Sequence, residues 1–174
     1  MHYIVLDFEW NQPLSEKEML MEPFPFDSEI IEIGAIKLDE SFQTVDEFKT
    51  FIRPQFYPHL SNAVVQLTKI RPQELEKAPS FSEAFDAFID WCGDDCALCS
   101  WGPDDIPVLL DNMLLHGIPT EPFPYCYDLQ RIFARELLRE NRQCSLSDAV
   151  KMLKLPADRA HDALNDTRNT VRAC

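Results

Sequence analysis

The stretch Tyr3-Ile4-Val5-Leu6-Asp7-Phe8-Glu9-Trp10 decides the reading of this 174-residue chain. Tyr3 to Phe8 is almost uninterruptedly apolar, the pattern of a central strand covered on both faces. Two carboxylates close it. On a strand, residues i and i+2 project from the same face, about 6.6 Å apart, so Asp7 and Glu9 point to one side. There they lose hydration and repel each other, and they need cations or protons beside them. Two divalent metals about 3.5–4 Å apart would meet that need, and phosphodiester hydrolysis uses that spacing. Asp-x-Glu alone is a weak signal, because a chain with 16 Asp and 14 Glu produces about one by chance. Its place at the end of the most apolar strand raises it.

Outward from this strand, residues 11–28 are irregular, with Pro13, Pro23 and Pro25. Glu29–Leu38 reads as a second strand and Phe42–Ile52 as a third, joined by a hairpin turn at Asp39-Glu40-Ser41. Ser61 caps a short helix through Val65 and Leu67. Pro79-Ser80 opens a longer one with Phe81, Phe85, Phe88 and Ile89 on one face. Cys96–Ser100 is a fourth strand. The helix after it begins near Asp104, with Ile106, Leu109, Leu110, Met113 and Leu114 as its apolar stripe, and Gly117 ends it. Tyr125–Asp128 reads as a fifth strand running into a helix over Leu129–Glu140. Ser145 and Asp162 start two more helices, on either side of Pro156. A meander of three strands followed by strands alternating with helices is an α/β chain with a mixed sheet.

The size suggests one domain, and 45% hydrophobic residues give it a core. No apolar run reaches the roughly 18 residues of a membrane span. The N-terminus lacks a basic leader and a small-residue cleavage site, so no signal peptide is expected, and the six cysteines read as reduced thiols in a cytoplasmic protein. Cys92, Cys96 and Cys99 have spacing that permits a zinc cluster, yet Cys96–Cys99 reads as buried strand. The net charge is −14, which argues against holding nucleic acid by bulk electrostatics. It is unevenly spread. Residues 1–128 carry 7 basic and 24 acidic groups, and residues 129–174 carry 9 basic and 6 acidic.

Two further acidic pieces accompany Asp7 and Glu9. In Ser100-Trp101-Gly102-Pro103-Asp104-Asp105, Asp104 reads as a helix N-cap, leaving Asp105 free to face a site. In His161-Asp162-Ala163-Leu164-Asn165-Asp166, the outer residues are five apart and diverge by roughly 140° on one helix. They converge only if His161 precedes the helix, with Asp162 as its cap. A histidine so placed can take a proton from an attacking water.

Asp-x-Glu on the first strand, Trp-Gly-x-x-Asp after the fourth and His-x4-Asp near the C-terminus resemble the DEDDh group of 3′–5′ exonucleases, which have a ribonuclease H-like fold. The order matches from Asp7 to Asp166. Leu67-Thr68-Lys69-Ile70 is similar to the family's Leu-Thr-Gly-Ile, with Lys69 where glycine is usual. The Trp-Gly-x-x-Asp form resembles the RNA-trimming branch of histone-mRNA 3′-end and sporulation-inhibitor-like exonucleases.

The resemblance implies a single exonuclease domain over 1–174, with a central mixed five-stranded sheet flanked by helices. It implies two divalent ions, and oxygen ligands favour Mg²⁺ or Mn²⁺. Asp7, Glu9 and Asp166 would hold one ion. Asp7 would bridge to the second, which Asp105 would bind mainly through water, and His161 would be the general base. The substrate would be the 3′ end of single-stranded RNA or DNA, with RNA slightly favoured. Leu67, Thr68 and the backbone beside Asp-x-Glu would border its last nucleotide. Phe8, Trp10 and Trp101 are candidates for stacking on bases, although Phe8 also reads as core. Arg131, Arg135 and Arg139 recur every four residues and read as a phosphate-binding stripe or as a solvated helix face. A catalytically silent nucleic-acid-binding or regulatory module on the same fold, and a metal-free acidic interaction protein, are the competing readings. Presence of all five residues, Asp7, Glu9, Asp105, His161 and Asp166, favours the enzyme.

Overall fold

The computed structural model of the chain describes residues 1–139 and 142–174. Its central strand is β1 (His2–Asn11). β2 (Glu29–Leu38) pairs antiparallel with β1, and β3 (Thr44–Phe51) antiparallel with β2. On the other side β4 (Cys96–Ser100) and then β5 (Tyr125–Asp128) add in parallel. The order is β3-β2-β1-β4-β5, the mixed five-stranded sheet expected. The helices are α1 (Asn62–Thr68), α2 (Pro72–Leu75), α3 (Phe81–Cys92), α4 (Asp105–Leu115), α5 (Leu129–Phe133), α6 (Leu146–Met152) and α7 (Ala163–Ala173). Among the described residues, no helix is long and apolar enough to cross a membrane.

The period of two along β1 sorts its side chains into two cores. Ile4, Leu6 and Phe8 pack with Phe81, Phe85 and Phe88 of α3 and Leu109 and Met113 of α4. Val5 faces the other way, onto Leu164 of α7. Asp7 and Glu9 continue this second row, so the strand that builds the main core on one face aims both carboxylates at α7 on the other. β1 runs beyond Phe8 because Glu9, Trp10 and Asn11 keep pairing with β2, across a bulge between Glu9 and Trp10. Asn11 is fully buried and donates to the carbonyls of Tyr57 and His59.

The caps follow their sequence signals. Ser61, Ser80, Ser145 and Asp162 each accept a backbone N–H from the first turn of α1, α3, α6 and α7. Asp104 stands at the start of α4 but its side chain caps nothing, because its own backbone is already helical (φ −87°, ψ −36°). Ile89 and Leu114, assigned to apolar faces, are 39% and 50% exposed. They lie at the edges of their stripes, and Ala84 and Asn112 take the buried places instead. The helix expected over Leu129–Glu140 is not one helix. After α5 the chain widens into a π-helical turn over Ala134–Leu138, and Arg139 ends it in the left-handed region at φ 57°. Glu140 lies outside the described residues. All six cysteines are free, and Cys92, Cys96 and Cys99 form no ligand cluster among the described residues. Burial pushes the Cys92 and Cys99 thiols up to about 12.

Candidate active site

Four segments bring the predicted acidic residues and the histidine together. β1 delivers Asp7 and Glu9 from its α7-facing row. The first turn of α4, entered from the loop after β4, delivers Asp105, only 6% exposed, whose Oδ1 accepts the Phe8 backbone N–H at 3.1 Å. This bond ties α4 to the strand between the two β1 carboxylates. α7 supplies Asp166, one turn in. The loop before α7 supplies His161, held at φ 62°. Histidine tolerates this left-handed conformation better than most residues. The His161 backbone N–H donates to Asp166 Oδ2 at 2.6 Å, which turns His161 back over the helix start. One ligand atom each from Glu9, His161 and Asp166 fall within 4.8 Å of one another.

A glycine permits this arrangement. Gly34 of β2 pairs with Asp7, and the α7 backbone lies directly on it. A Cβ at residue 34 would sit 2.2 Å from the Ala163 carbonyl carbon and the Leu164 nitrogen. Thr167 Oγ1 then donates to the Gly34 carbonyl at 3.1 Å. The sequence signal was a glycine inside an otherwise apolar strand, which marks close backbone approach.

A second supporting pair also went unread. Glu32 faces Glu9 across β1 and β2 and is 1% exposed. Lys49 of β3 reaches Glu32 Oε1 at 2.7 Å and Asp162 Oδ2 at 2.8 Å. It therefore joins the acidic strands to the cap of α7. A glutamate inside a hydrophobic strand was the available signal, with Lys49 diagonal to it on β3, where Glu32 pairs with Phe51 and Gly34 with Lys49.

The carboxylates are crowded. Burial, followed by repulsion from Asp105, Asp166, Glu9 and Glu32, holds the Asp7 carboxyl well above the usual range. Glu9 is pushed up to about 8, first by burial and then by Glu32 and Asp166. Asp105 rises to about 7 through burial, offset in part by the Phe8 N–H. Asp166 is raised by burial against the pull of the His161 N–H. Such a set holds protons at neutral pH or exchanges them for cations. Four carboxylates in one crevice fit hard divalent ions by donor type and by charge.

The predicted substrate contacts divide. Phe8 is 3% exposed and its ring belongs to the core, so only its backbone reaches the site. Trp10 is half-buried beside Glu9. Leu67 is 51% exposed at the end of α1. Thr68 is buried, its hydroxyl donating to Val64 O and accepting from Ile70 N, and Lys69 takes the left-handed position (φ 68°) that glycine would favour. Trp101 packs on Phe133 and donates its indole N–H to Cys144 O at 3.0 Å, which anchors the loop that carries Asp105. Of the arginines, Arg131 and Arg135 line one groove and Arg139 is not among its lining residues, because the π-turn breaks the four-residue repeat.

Comparison with known proteins agrees with this geometry. The family model described as exonuclease (RNase_T) matches residues 4–174. The PolC-type DNA polymerase III of Thermotoga maritima is 32% identical over 171 residues, 98% of this chain and 11% of that protein. The probable 3′-5′ exonuclease KapD of Bacillus subtilis is 25% identical over 123 residues, 70% of this chain. The chain spans about a tenth of the first relative's length and 56% of the second's. The nuclease domain of 3′hExo, a DEDDh family member solved bound to rAMP, superposes with a TM-score of 0.84 at 23% identity, covering 99% of this chain and 88% of that one. At that identity the likeness shows a shared fold. With Asp7, Glu9, Asp105, His161 and Asp166 gathered in one crevice and the family model spanning nearly its whole length, the chain belongs to the exonuclease (RNase_T) family.

Proposed function

We propose that residues 1–174 form one exonuclease domain that removes mononucleotides from the 3′ end of single-stranded nucleic acid, RNA somewhat faster than DNA. The observation that carries this is the convergence of Asp7, Glu9, Asp105 and Asp166, with His161 over them, in a crevice where burial raises the protonation of all four and repulsion from the other carboxylates adds to it at Asp7 and Glu9. Asp7, Glu9, Asp105 and Asp166 would hold two divalent ions, Mg²⁺ or Mn²⁺. Bound there, such ions would offset the negative crevice and stabilise charge developing on the phosphoryl oxygens.

The chain's own groups do the rest. A ring nitrogen of His161 accepts the proton of the attacking water, and the Asp166–His161 backbone bond fixes where that ring starts. Lys49 holds Asp162, and through it the start of α7, against Glu32. Leu67 and Trp10 border the last nucleotide, Leu67 with its exposed side chain and Trp10 beside the bulge, while the Phe8 and Thr68 backbones shape the floor. The preference for RNA rests on the likeness of Trp101-Gly102-Pro103-Asp104-Asp105 to the RNA-trimming branch. Six free thiols suit a cytoplasmic protein.

The test is degradation of 5′-labelled single-stranded RNA and DNA, side by side, with Mn²⁺. A ladder shortening from the 3′ end is expected, lost in EDTA and lost in Asp7→Asn with the fold intact. Binding without any degradation would identify a catalytically silent module instead. Full activity in EDTA would exclude the metal mechanism.

A further inference from the structure

A groove of about 570 Å³ opens beside the loop that carries Asp105. Its walls include Arg131, Arg135, Arg142, Gln130, Gln143 and Pro103. We propose that this groove seats the phosphates of the strand immediately upstream of the cleaved nucleotide, so that the enzyme grips several nucleotides rather than only the terminal one. The proposal rests on the exonuclease reading and adds a subsite to it.

Its position follows from topology. β1, β4 and β5 are parallel, so their C-terminal ends share one edge of the sheet. β1 ends in the carboxylates, β4 in the loop to Asp105, and β5 in Asp128 at the head of α5. The groove therefore lies one strand over from the crevice. Pro103 is two residues from Asp105, so their Cα atoms are at most about 7.6 Å apart. A nucleotide rises about 3.4 Å along a stacked strand. A chain leaving the crevice across Pro103 thus meets the groove within two or three nucleotides.

Its chemistry favours a polyanion. The three arginines are exposed, and arginine matches phosphate oxygens with paired N–H donors. The acid on the wall, Asp128, already caps α5 by accepting the Arg131 N–H at 2.9 Å. The walls are also held in place. The Cys144 carbonyl accepts both the Trp101 indole N–H and the Gln130 amide N–H, each at 3.0 Å. These two hydrogen bonds tie the 142–144 segment to the loop before α4 and to α5. In a chain of net charge −14, a fixed arginine-lined groove beside the acidic crevice guides the strand where the rest of the surface repels it.

Arg139 supplies an internal control. It belongs to the four-residue repeat but not to the groove wall; Glu136 lies 3.9 Å from it and 3.7 Å from Arg135. The experiment measures binding of fluorescent 12-nucleotide RNA and DNA by anisotropy in Ca²⁺, and turnover of a dinucleotide and the 12-mer in Mn²⁺. It compares wild type, Arg131→Ala/Arg135→Ala and Arg139→Ala. Two lost phosphate contacts lower the salt slope by about 1.4. Between 50 and 200 mM salt, the wild-type Kd should therefore rise about sevenfold more than that of the double variant. KM on the 12-mer should rise for the double variant while dinucleotide turnover stays unchanged, and Arg139→Ala should behave as wild type. Equal slopes for wild type and double variant, or an equal loss in Arg139→Ala, would overturn the groove. A wild type that degrades neither substrate would refute the exonuclease reading, and the anisotropy comparison would still decide the groove. The RNA and DNA arms show which sugar the bound backbone carries.

Discussion

Gly34→Ala tests whether the distance between β2 and α7 sets the active site. Residue 34 has a backbone conformation open to any amino acid, so the change is purely steric. The new methyl would lie 2.2 Å from the Ala163 carbonyl carbon and the Leu164 nitrogen. Both are main-chain atoms and cannot rotate aside. Ordinary contact begins at 3.4 Å, so the strand and the helix start must separate by about 1.2 Å. His161 and Asp166 ride on that helix start, whereas Asp7 and Glu9 stay with the sheet. A misplacement of about 1 Å typically costs ~10²-fold in rate. Overpacking of this kind costs about 1–3 kcal/mol, or several degrees in Tm for a chain of this size. Single-turnover rates on labelled RNA, measured well below the variant's Tm and at saturating Mn²⁺, separate the two effects. The expected result is a folded protein with a rate about a hundredfold lower and weaker Mn²⁺ binding. A rate within twofold of wild type would refute the argument that this contact spaces the site.

Other expectations concern the charged groups. His161→Ala should keep metal binding, followed by Mn²⁺ titration calorimetry, and lose about 10²–10⁴-fold in rate at neutral pH; loss of Mn²⁺ binding instead would make His161 a ligand. In EDTA, stability should fall as pH rises from 5 to 8. Glu9, with its folded value raised from 4.5 to about 8, and Asp105, raised to about 7, bind more protons folded than unfolded, so folding loses that advantage as pH climbs through the folded values. Thermal melts of wild type and Glu9→Gln across this range should show a shallower slope in the variant. Saturating Mn²⁺ should raise Tm most at the alkaline end, because it replaces the missing protons. Parallel slopes for wild type and Glu9→Gln would contradict the proposed crowding.

What the sequence could show depended on whether the cause was local. Asp7 and Glu9 were legible because strand periodicity alone puts them on one face. His161 was legible because Asp162 is a strong cap, which forces the preceding residue off the helix. Gly34 was legible only as a point of close approach, since the backbone it leaves room for lies about 130 positions away and no local pattern records that neighbour. Glu32 and Lys49 were hidden because their contact needs the register of the β2–β3 hairpin, in which Glu32 lies opposite Phe51 and Lys49 opposite Gly34. The break in the arginine repeat was hidden because a π-turn leaves no clear mark in composition, and a spacing of four implies one stripe only on a regular α-helix. Ile89 and Leu114 sat at stripe edges, where apolarity does not decide burial.

The site's parts are also spread in time. Asp7 and Glu9 leave a ribosome long before Asp105. His161 and Asp166 follow later still, and α7 must then dock on Gly34 before the crevice closes. Strands and helices that fold earlier in translation therefore make a scaffold with a sheet and a core but without the proposed base or the fourth carboxylate. In a chain assembled this way the crevice stays incomplete until α7 is free to fold.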